Sequence, residues 1–185
     1  MRDLVVTENI TLDGVIAPMD GWFDPGAQDE DLMAANTEHR EAADALVLGR
    51  VTYEEFAGFW PAQVDDRTGI GGYLNRVAKY VVSAGLDRAD WANTTILRGP
   101  VEDELAALKR APGRDIVVTG SASLVRSLLP TGLVDVFRLF VYPVVQGHGR
   151  RLFDDPMTAD LTLVDTRAFR SGVVLPAYRS NTGDR

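Results

Sequence analysis

The chain has 185 residues, 45% of them hydrophobic, which is enough for one well-packed domain and too few for two large ones. Its net charge of −8 opposes the phosphate backbone of nucleic acids and provides no polybasic membrane patch, so we expect neither nucleic acid nor membrane as a partner. The absence of cysteine excludes disulfides and thiol nucleophiles, and two histidines are too few for a His-rich metal site, so we expect no metal.

The N-terminal segment is predicted to form strands joined by a turn. Residues 4–7 are an apolar run, and residues 9–17 follow it with a turn signal at Asp13 and Gly14. The first apolar run begins so early that no signal-type segment precedes it, and no later run reaches membrane-spanning length. We therefore expect a cytoplasmic protein.

A loop with two aromatic side chains leads to the first predicted helix. Residues 18–31 are rich in Pro, Gly and Asp, and within them Trp22 and Phe23 either line a ligand or cover the edge of the core. Residues 30–45 then show helical spacing with a thin, alanine-rich apolar face, which indicates close packing against a sheet.

The first strand-to-helix junction combines an arginine with a helix start. Residues 45–49 form a predicted strand, and Thr52 and Glu55 have the spacing of a capping box, which predicts a helix directly after it. Unpaired N–H groups at that helix start, together with the Arg50 guanidinium, are suited to a phosphate. In an equally good interpretation, Arg50 is a surface residue paired with Glu54 or another acid.

Strands and helices continue to alternate through the middle of the chain. The elements predicted here are a glycine-rich loop at 61–72, a short helix at 73–76, strands at 78–83 and 94–97, and an amphipathic helix at 101–110. Such regular alternation with short connections predicts an α/β domain with a largely parallel sheet.

The second strand-to-helix junction is built from small residues. Residues 116–119 have the composition of a buried strand, and apolar residues recur at helical spacing over 124–129. Gly120 and Ser121 between them allow a ligand to approach the backbone, and the following N–H groups favour an anion. The plainer alternative is an ordinary connection in which Ser121 or Ser123 caps the helix.

The C-terminal third changes to an antiparallel pattern. Residues 134–141 alternate as a long strand, and residues 161–169 and 173–178 flank a Ser-Gly turn as a hairpin. We therefore predict a single domain over 1–180, with a mostly parallel sheet flanked by helices and finished by this hairpin, and a disordered tail over 181–185.

Five segments in register resemble the dihydrofolate reductase superfamily. The Gly-Arg-Val-Thr segment at 49–52, the strand at 81–83 and the Thr-Gly-Ser turn at 119–121 are similar to dihydrofolate reductases and occur in the same order. The segments at 11–17 and 143–153 are closer to the C-terminal reductase domain of the bifunctional riboflavin-biosynthesis deaminase/reductase and its stand-alone relatives. The resemblance spans nearly the whole chain and implies a dihydrofolate reductase-like fold.

This resemblance also implies NADPH as the cofactor. It assigns Arg50 to the adenosine 2′-phosphate, Thr52 to the pyrophosphate and Ser83 to the adenosine end. The other implied cofactor-binding residues lie at the two strand ends and are Gly49, Gly120, Ser121 and Ala122. These positions coincide with the two helix starts that the residue pattern singles out.

The implied chemistry is hydride reduction of a small, flat heteroaromatic compound such as a pteridine or pyrimidine, with Trp22 and Phe23 as stacking surfaces. Asp31, early on the first helix, is the candidate acid by resemblance, and Asp13 is the second candidate. Equally, Asp31 stabilises the helix start and Asp13 shapes an ordinary turn.

The sequence leaves three functions open. An NADPH-dependent reductase is the prediction, and a nucleotide-binding module that keeps the cofactor cradle without catalysis is the main alternative. A flavin-binding protein is the third. The resemblance further implies a homodimer, because residues 134–141 and 146–153 resemble a region that pairs subunits in the riboflavin-type reductases.

Overall fold

An eight-stranded sheet organises the computed structural model, which describes residues 1–19, 21–24, 26, 29–63, 66–154 and 158–181. Its strands are β1 (Leu4–Thr11), β3 (Ala43–Gly49), β4 (Ala78–Val82), β5 (Thr94–Leu97), β6 (Asp115–Val118), β7 (Val136–Tyr142), β9 (Leu161–Ala168) and β10 (Val174–Ser180). Two short strands, β2 (Val15–Ala17) and β8 (Arg150–Arg151), pair separately. The helices are α1 (Glu30–Ala42), α2 (Arg50–Phe59), α3 (Ile70–Arg76), α4 (Val101–Arg110) and α5 (Ala122–Leu128).

The strand order across the sheet is β5-β4-β3-β6-β1-β7-β10-β9. Neighbouring strands from β5 to β7 are parallel, whereas β10 is antiparallel to both β7 and β9. The predicted mostly parallel sheet with a C-terminal antiparallel hairpin is therefore confirmed. Because β3, β6 and β1 are parallel neighbours, their carboxyl ends meet along one edge of the sheet, where ligands bind in open α/β folds.

Helices cover both faces of this sheet. On one face, Val125 of α5 belongs to the same buried cluster as Val6 of β1 and Val118 of β6. On the other, α1 buries Leu32 and Ala35 in a cluster that contains Phe140 and Tyr142 of β7, with Trp22 and Phe23 packed against it. A third cluster joins α2, α3 and β3.

The element boundaries differ from prediction where distant contacts decide them. Helix α1 ends at Ala42, so β3 begins two residues earlier than predicted, and α4 has the predicted bounds. The capping box predicted for Thr52 and Glu55 is wrong. Helix α2 begins at Arg50 with Gly49 as its N-cap and no side-chain cap, because the Thr52 hydroxyl bonds to a distant serine instead.

The end of the chain is held to the sheet as far as the structure describes it. The Asn181 N–H donates to the Asp160 carbonyl at 3.0 Å, and its side-chain oxygen accepts from Thr162 at 3.0 Å. The rest of the predicted tail, residues 182–185, lies outside the described residues. Among the described helices, none combines the length and the apolar character needed to cross a bilayer.

Candidate functional site

A cleft of about 810 Å³ lies at the carboxyl ends of β1, β3 and β6. Its polar lining comes from β1, from the helix starts after β3 and β6 and from α1, and includes Thr7, Glu8, Asn9, Thr52, Thr119, Gly120, Asn36, His39 and Arg40. Its aromatic lining comprises Phe23, Phe56, Trp60, Tyr73 and Phe140. A cavity of this size, mostly apolar with a few converging polar groups, is typical of small-molecule sites.

The two strand-to-helix junctions meet at this cleft through one serine. The Ser121 hydroxyl accepts a hydrogen bond from the Gly49 N–H at 2.7 Å and donates to the Thr52 hydroxyl at 2.9 Å. Both Ser121 and Thr52 are buried. The two helix starts therefore converge on one cleft.

Gly120 has a structural role in addition to the predicted one. Its φ is +71°, and a Cβ there would lie 2.6 Å from Cγ2 of Thr52, so the close approach of α2 requires glycine at this position. Its N–H donates to Oε1 of Glu8 at 2.5 Å. One backbone donor of the second junction is thus already paired within the protein.

Glu8 is the most unusual side chain of the cleft. It is only 2% exposed, and removal of its carboxyl group from water raises its pKa to about 8. The Gly120 hydrogen bond and the Arg150 charge oppose this rise without cancelling it. The sequence analysis missed Glu8, although a signal exists, because its same-face neighbours on β1 are the buried, apolar Val6 and Ile10.

Further polar atoms of the cleft are buried without a hydrogen-bond partner among the described residues. They are Oγ1 of Thr7, Oδ1 of Asn9 and Nδ1 of His39. Burial lowers the pKa of His39 to about 4, with the Arg138 charge as a second cause, so the imidazole is neutral near pH 7. Since an unpaired buried polar group costs about 1–3 kcal/mol, this wall is suited to a polar ligand.

The structure does not bring either predicted catalytic carboxylate into the cleft. Asp31 follows the N-terminus of α1 on its solvent side, with its side chain 68% exposed and 4.0 Å from Arg170. The residues of α1 that face inward are Leu32, Ala35, Asn36, His39 and Arg40. Asp29, rather than Asp31, caps this helix, by accepting from the Leu32 N–H at 2.8 Å.

Asp13 lies in the turn between β1 and β2 and holds a second loop in place. It accepts hydrogen bonds from the Thr11 hydroxyl at 2.6 Å and from the N–H groups of Gln146 and Gly147 at 3.0 and 2.9 Å. These bonds, led by that of Thr11, hold the pKa of Asp13 well below its usual range. Asp13 is not among the residues that line the cleft.

The remaining predicted cofactor residues lie at or beside the two junctions. Arg50 is the first residue of α2, and its Nη1 donates to both carboxylate oxygens of Glu54 at 3.0 and 3.1 Å. Ser83 follows Val82, the register partner of Gly49, and so lies next to that junction. Ala122 is the buried first residue of α5.

The two predicted aromatic residues have different environments. Phe23 lines the cleft, whereas Trp22 does not. The Trp22 ring packs edge-on against Tyr142 with centroids 5.3 Å apart, and its N–H donates to the Pro18 carbonyl at 3.0 Å. Both residues pack against the cluster between α1 and β7, so Trp22 covers the core edge, whereas Phe23 covers the core edge and also lines the cleft.

Sequence comparison identifies related proteins along nearly the whole chain. The family model described as the RibD C-terminal domain matches residues 2–175. Uncharacterized protein YyaP of Bacillus subtilis is 32% identical over 183 residues, which cover 97% of this chain and 96% of that protein.

Solved structures share the fold at lower identity. A putative riboflavin biosynthesis protein from Shewanella sp. PV-4 has a TM-score of 0.73 and 18% identity, covering 97% of this chain and 99% of that one. Dihydrofolate reductase from Enterococcus faecalis, complexed with NADP(H), has a TM-score of 0.59 and 19% identity, covering 97% and 96%. These comparisons confirm the predicted resemblance and the dihydrofolate reductase-like fold.

Proposed function

This chain belongs to the RibD C-terminal domain family, and on that basis we propose that it is an NADPH-dependent reductase. Its substrate is a small heteroaromatic compound of the pteridine or pyrimidine class. The observation that carries the proposal is the single cleft in which the two helix starts, joined by Ser121, lie beside a wall of unpaired polar atoms.

The first junction has the features needed to hold a dinucleotide phosphate. The ten-residue helix α2 begins without a side-chain cap, so its first N–H groups are available to a ligand. Arg50 supplies a guanidinium beside them for a 2′-phosphate, and its exposed pair with Glu54 contributes little and is easily replaced. Ser83, Gly120, Ser121 and Ala122 complete the proposed cofactor contacts. A bound nicotinamide cofactor supplies the hydride.

The opposite end of the cleft has the features needed to hold a flat heteroaromatic ring. Phe23, Phe56 and Phe140 provide apolar surface for stacking. The Asn9 amide oxygen and Nδ1 of the neutral His39 imidazole have no hydrogen-bond partner among the described residues, so they are available to polar groups at the edge of such a ring. These hydrogen bonds would satisfy buried polar groups whose lack of a partner otherwise costs free energy.

A homodimer belongs to the same proposal. Strand β7, in the region that predicts subunit pairing, is bonded on both sides within the sheet, whereas β9 is the last strand of the described sheet. Leu163 and Val164 of β9 are about half exposed, which favours β9 as the pairing edge. Light scattering tests this proposal: twice the chain mass supports it, and the mass of one chain contradicts it.

A nucleotide-binding module without catalysis is the second candidate. It is favoured by the positions of Asp31 and Asp13, since neither of the carboxylates expected to assist protonation lines the cleft. The two candidates share the cofactor site and differ in turnover. Stereospecific oxidation of NADPH in a screen of dihydropterins and aminopyrimidinediones supports the reductase, and binding without turnover supports the module.

The cofactor proposal is tested by fluorescence titration with NADPH and NADH. We expect Arg50→Ala to weaken NADPH binding about tenfold or more and NADH binding less than twofold, because only NADPH carries the 2′-phosphate. Glu54→Gln is the matched control: it frees Arg50 and should leave NADPH affinity equal or higher. Equal losses for both cofactors in Arg50→Ala would remove Arg50 from this role.

A further inference from the structure

The cleft contains a buried acid that neither the motifs nor the helix starts use. Two carboxyl side chains line it within the described residues, Glu8 and Glu55. Glu55 is exposed on α2, whereas Glu8 is almost completely enclosed. Glu8 is therefore the one carboxyl group that the described part of the cleft shields from water.

The hydrogen bonding of Glu8 leaves one oxygen for a ligand. Its Oε1 accepts the Gly120 N–H, and its other oxygen has no hydrogen-bond partner in the part of the chain that the structure describes. In a neutral carboxylic acid, one oxygen can accept this bond while the other carries the proton. Thr7 and Asn9, its neighbours on β1, have unpaired atoms in the same cleft.

From this geometry we propose that Glu8 is the proton donor of the reductase reaction, an inference that rests on the proposed function. Glu8 takes the role that sequence resemblance assigns to Asp31. Glu8 lines the cleft from β1, and its carboxyl group lies beside the turn that joins β6 to α5.

The electrostatic surroundings keep the Glu8 proton in place near neutral pH. The other titratable side chains that line the described cleft are His39, Arg40, Glu55, Tyr73 and Arg150. Among these side chains, only Arg150 on β8 lowers the pKa of Glu8, and burial outweighs the combined effect of the Gly120 hydrogen bond and the Arg150 charge. The acid is thus mostly protonated at pH 7 and close enough to its pKa to release the proton.

The proposed step balances in atoms and electrons. Addition of a hydride from reduced nicotinamide dinucleotide to the carbon of a substrate C=N bond moves the π electron pair onto nitrogen. That nitrogen takes the proton of Glu8, which becomes a carboxylate and is reprotonated from water. The C=N bond is reduced to CH–NH, and the dinucleotide is oxidised.

The test compares Glu8→Gln with Asp31→Asn and with Glu102→Gln, an exposed residue of α4. Glutamine keeps an acceptor for the Gly120 N–H but has no acidic proton, so it separates proton transfer from support of the turn. We expect Glu8→Gln to lower kcat about 100-fold while the dissociation constant for NADPH changes less than threefold. The control variant Glu102→Gln should keep the wild-type kcat, and Asp31→Asn tests the competing candidate acid.

The pH profile distinguishes catalysis from positioning. Because the acid form of Glu8 is required, wild-type kcat should fall as pH rises above about 8, and the residual rate of Glu8→Gln should lose this limb. An unchanged kcat and pH profile in Glu8→Gln would overturn the inference while leaving the proposed reductase intact. A loss of kcat in Asp31→Asn but not in Glu8→Gln would also overturn the inference.

A second readout does not depend on turnover. Infrared difference spectra between pH 6 and pH 10 should contain one protonated carboxyl C=O band that disappears with a midpoint near 8 and is missing in Glu8→Gln. A Glu8 that is already ionised at pH 6 contradicts the inference whether or not a substrate is found. Failure of wild-type protein to bind NADPH would instead count against the proposed function.

Discussion

Two acidic side chains near the end of β1, Glu8 and Asp13, have opposite environments. Asp13 accepts hydrogen bonds from Thr11, Gln146 and Gly147, and these hold its pKa below the usual range. Glu8 receives one bond, from Gly120, and burial raises its pKa to about 8. Neighbouring carboxyl groups therefore differ because one is supplied with donors and the other is mainly deprived of water.

Asp13 has a structural role, whereas Glu8 is suited to proton transfer. Asp13 is a permanent anion that joins the turn after β1 to the loop before β8, and Arg151 adds a cation to the same contact. Glu8 can exchange a proton near neutral pH and lines the cleft. The Asp-Gly turn is the more conspicuous feature of the sequence, yet the less conspicuous glutamate has the reactive setting.

The largest effect that we predict is an opposite pH dependence of stability for the two acids. The pKa of Glu8 is about 8 in the folded protein and 4.5 as a free group, so its contribution to folding is fully present below 4.5 and is lost as pH rises towards 8. We expect wild-type protein to lose on the order of 4 kcal/mol relative to Glu8→Gln between pH 4.5 and pH 9.

Urea unfolding at several pH values measures this difference. The Asp13 contribution has the opposite sign, since its lowered pKa gives stability that is lost as pH falls below 3.8. Parallel pH curves for wild-type protein and Glu8→Gln would show that Glu8 is not held in its neutral form by the fold.

The next effect concerns Gly120, whose N–H donates a hydrogen bond to Glu8. Gly120→Ala places a Cβ against Thr52 at positive φ, so we expect a loss of about 2 to 3 kcal/mol, seen as a decrease of roughly 4 to 12 °C in melting temperature. Adding Thr52→Ser, which removes the clashing methyl group, should recover part of this loss.

Gly58→Ala is the matched control for that substitution. Gly58 is exposed on α2 and a Cβ there meets no atom within 4 Å, so alanine should be neutral or slightly stabilising. A melting temperature for Gly120→Ala equal to that of Gly58→Ala would contradict the close packing of the two junctions.

The smallest effect that we predict is that of substituting Asp13, the acid that accepts several hydrogen bonds. Asp13→Ala frees the Gln146 and Gly147 N–H groups and should lower the melting temperature by several degrees, with NADPH affinity changed less than twofold. Asp31→Ala removes only an exposed pair with Arg170 and should leave the melting temperature unchanged. A large loss of affinity in Asp13→Ala would show that this turn belongs to the cofactor site.

Features encoded by neighbouring residues could be predicted from the sequence, and features created by distant contacts could not. The junctions at Gly49 and Gly120 were predictable because strand, turn and helix signals follow one another directly. The capping box failed because the partner of Thr52 is Ser121, far along the chain. The sequence could not show that Asp31 lies on the solvent side of α1, because packing against the sheet decides which side of this helix faces the cleft.

The Ser121 hydroxyl links the start of α5 to the start of α2, two segments about seventy residues apart in the chain, through its hydrogen bonds to Gly49 and Thr52. The carboxyl ends of β3 and β6 cannot move apart without breaking both of its bonds, so the end of the cleft that we propose to hold the cofactor phosphates is rigid before any ligand arrives. We therefore expect the cleft to adapt to substrates of different size or polarity mainly on its α1 side. There, Asn36, His39 and Arg40 can be substituted without breaking the Ser121 hydrogen bonds. Relatives with different substrates should diverge there first.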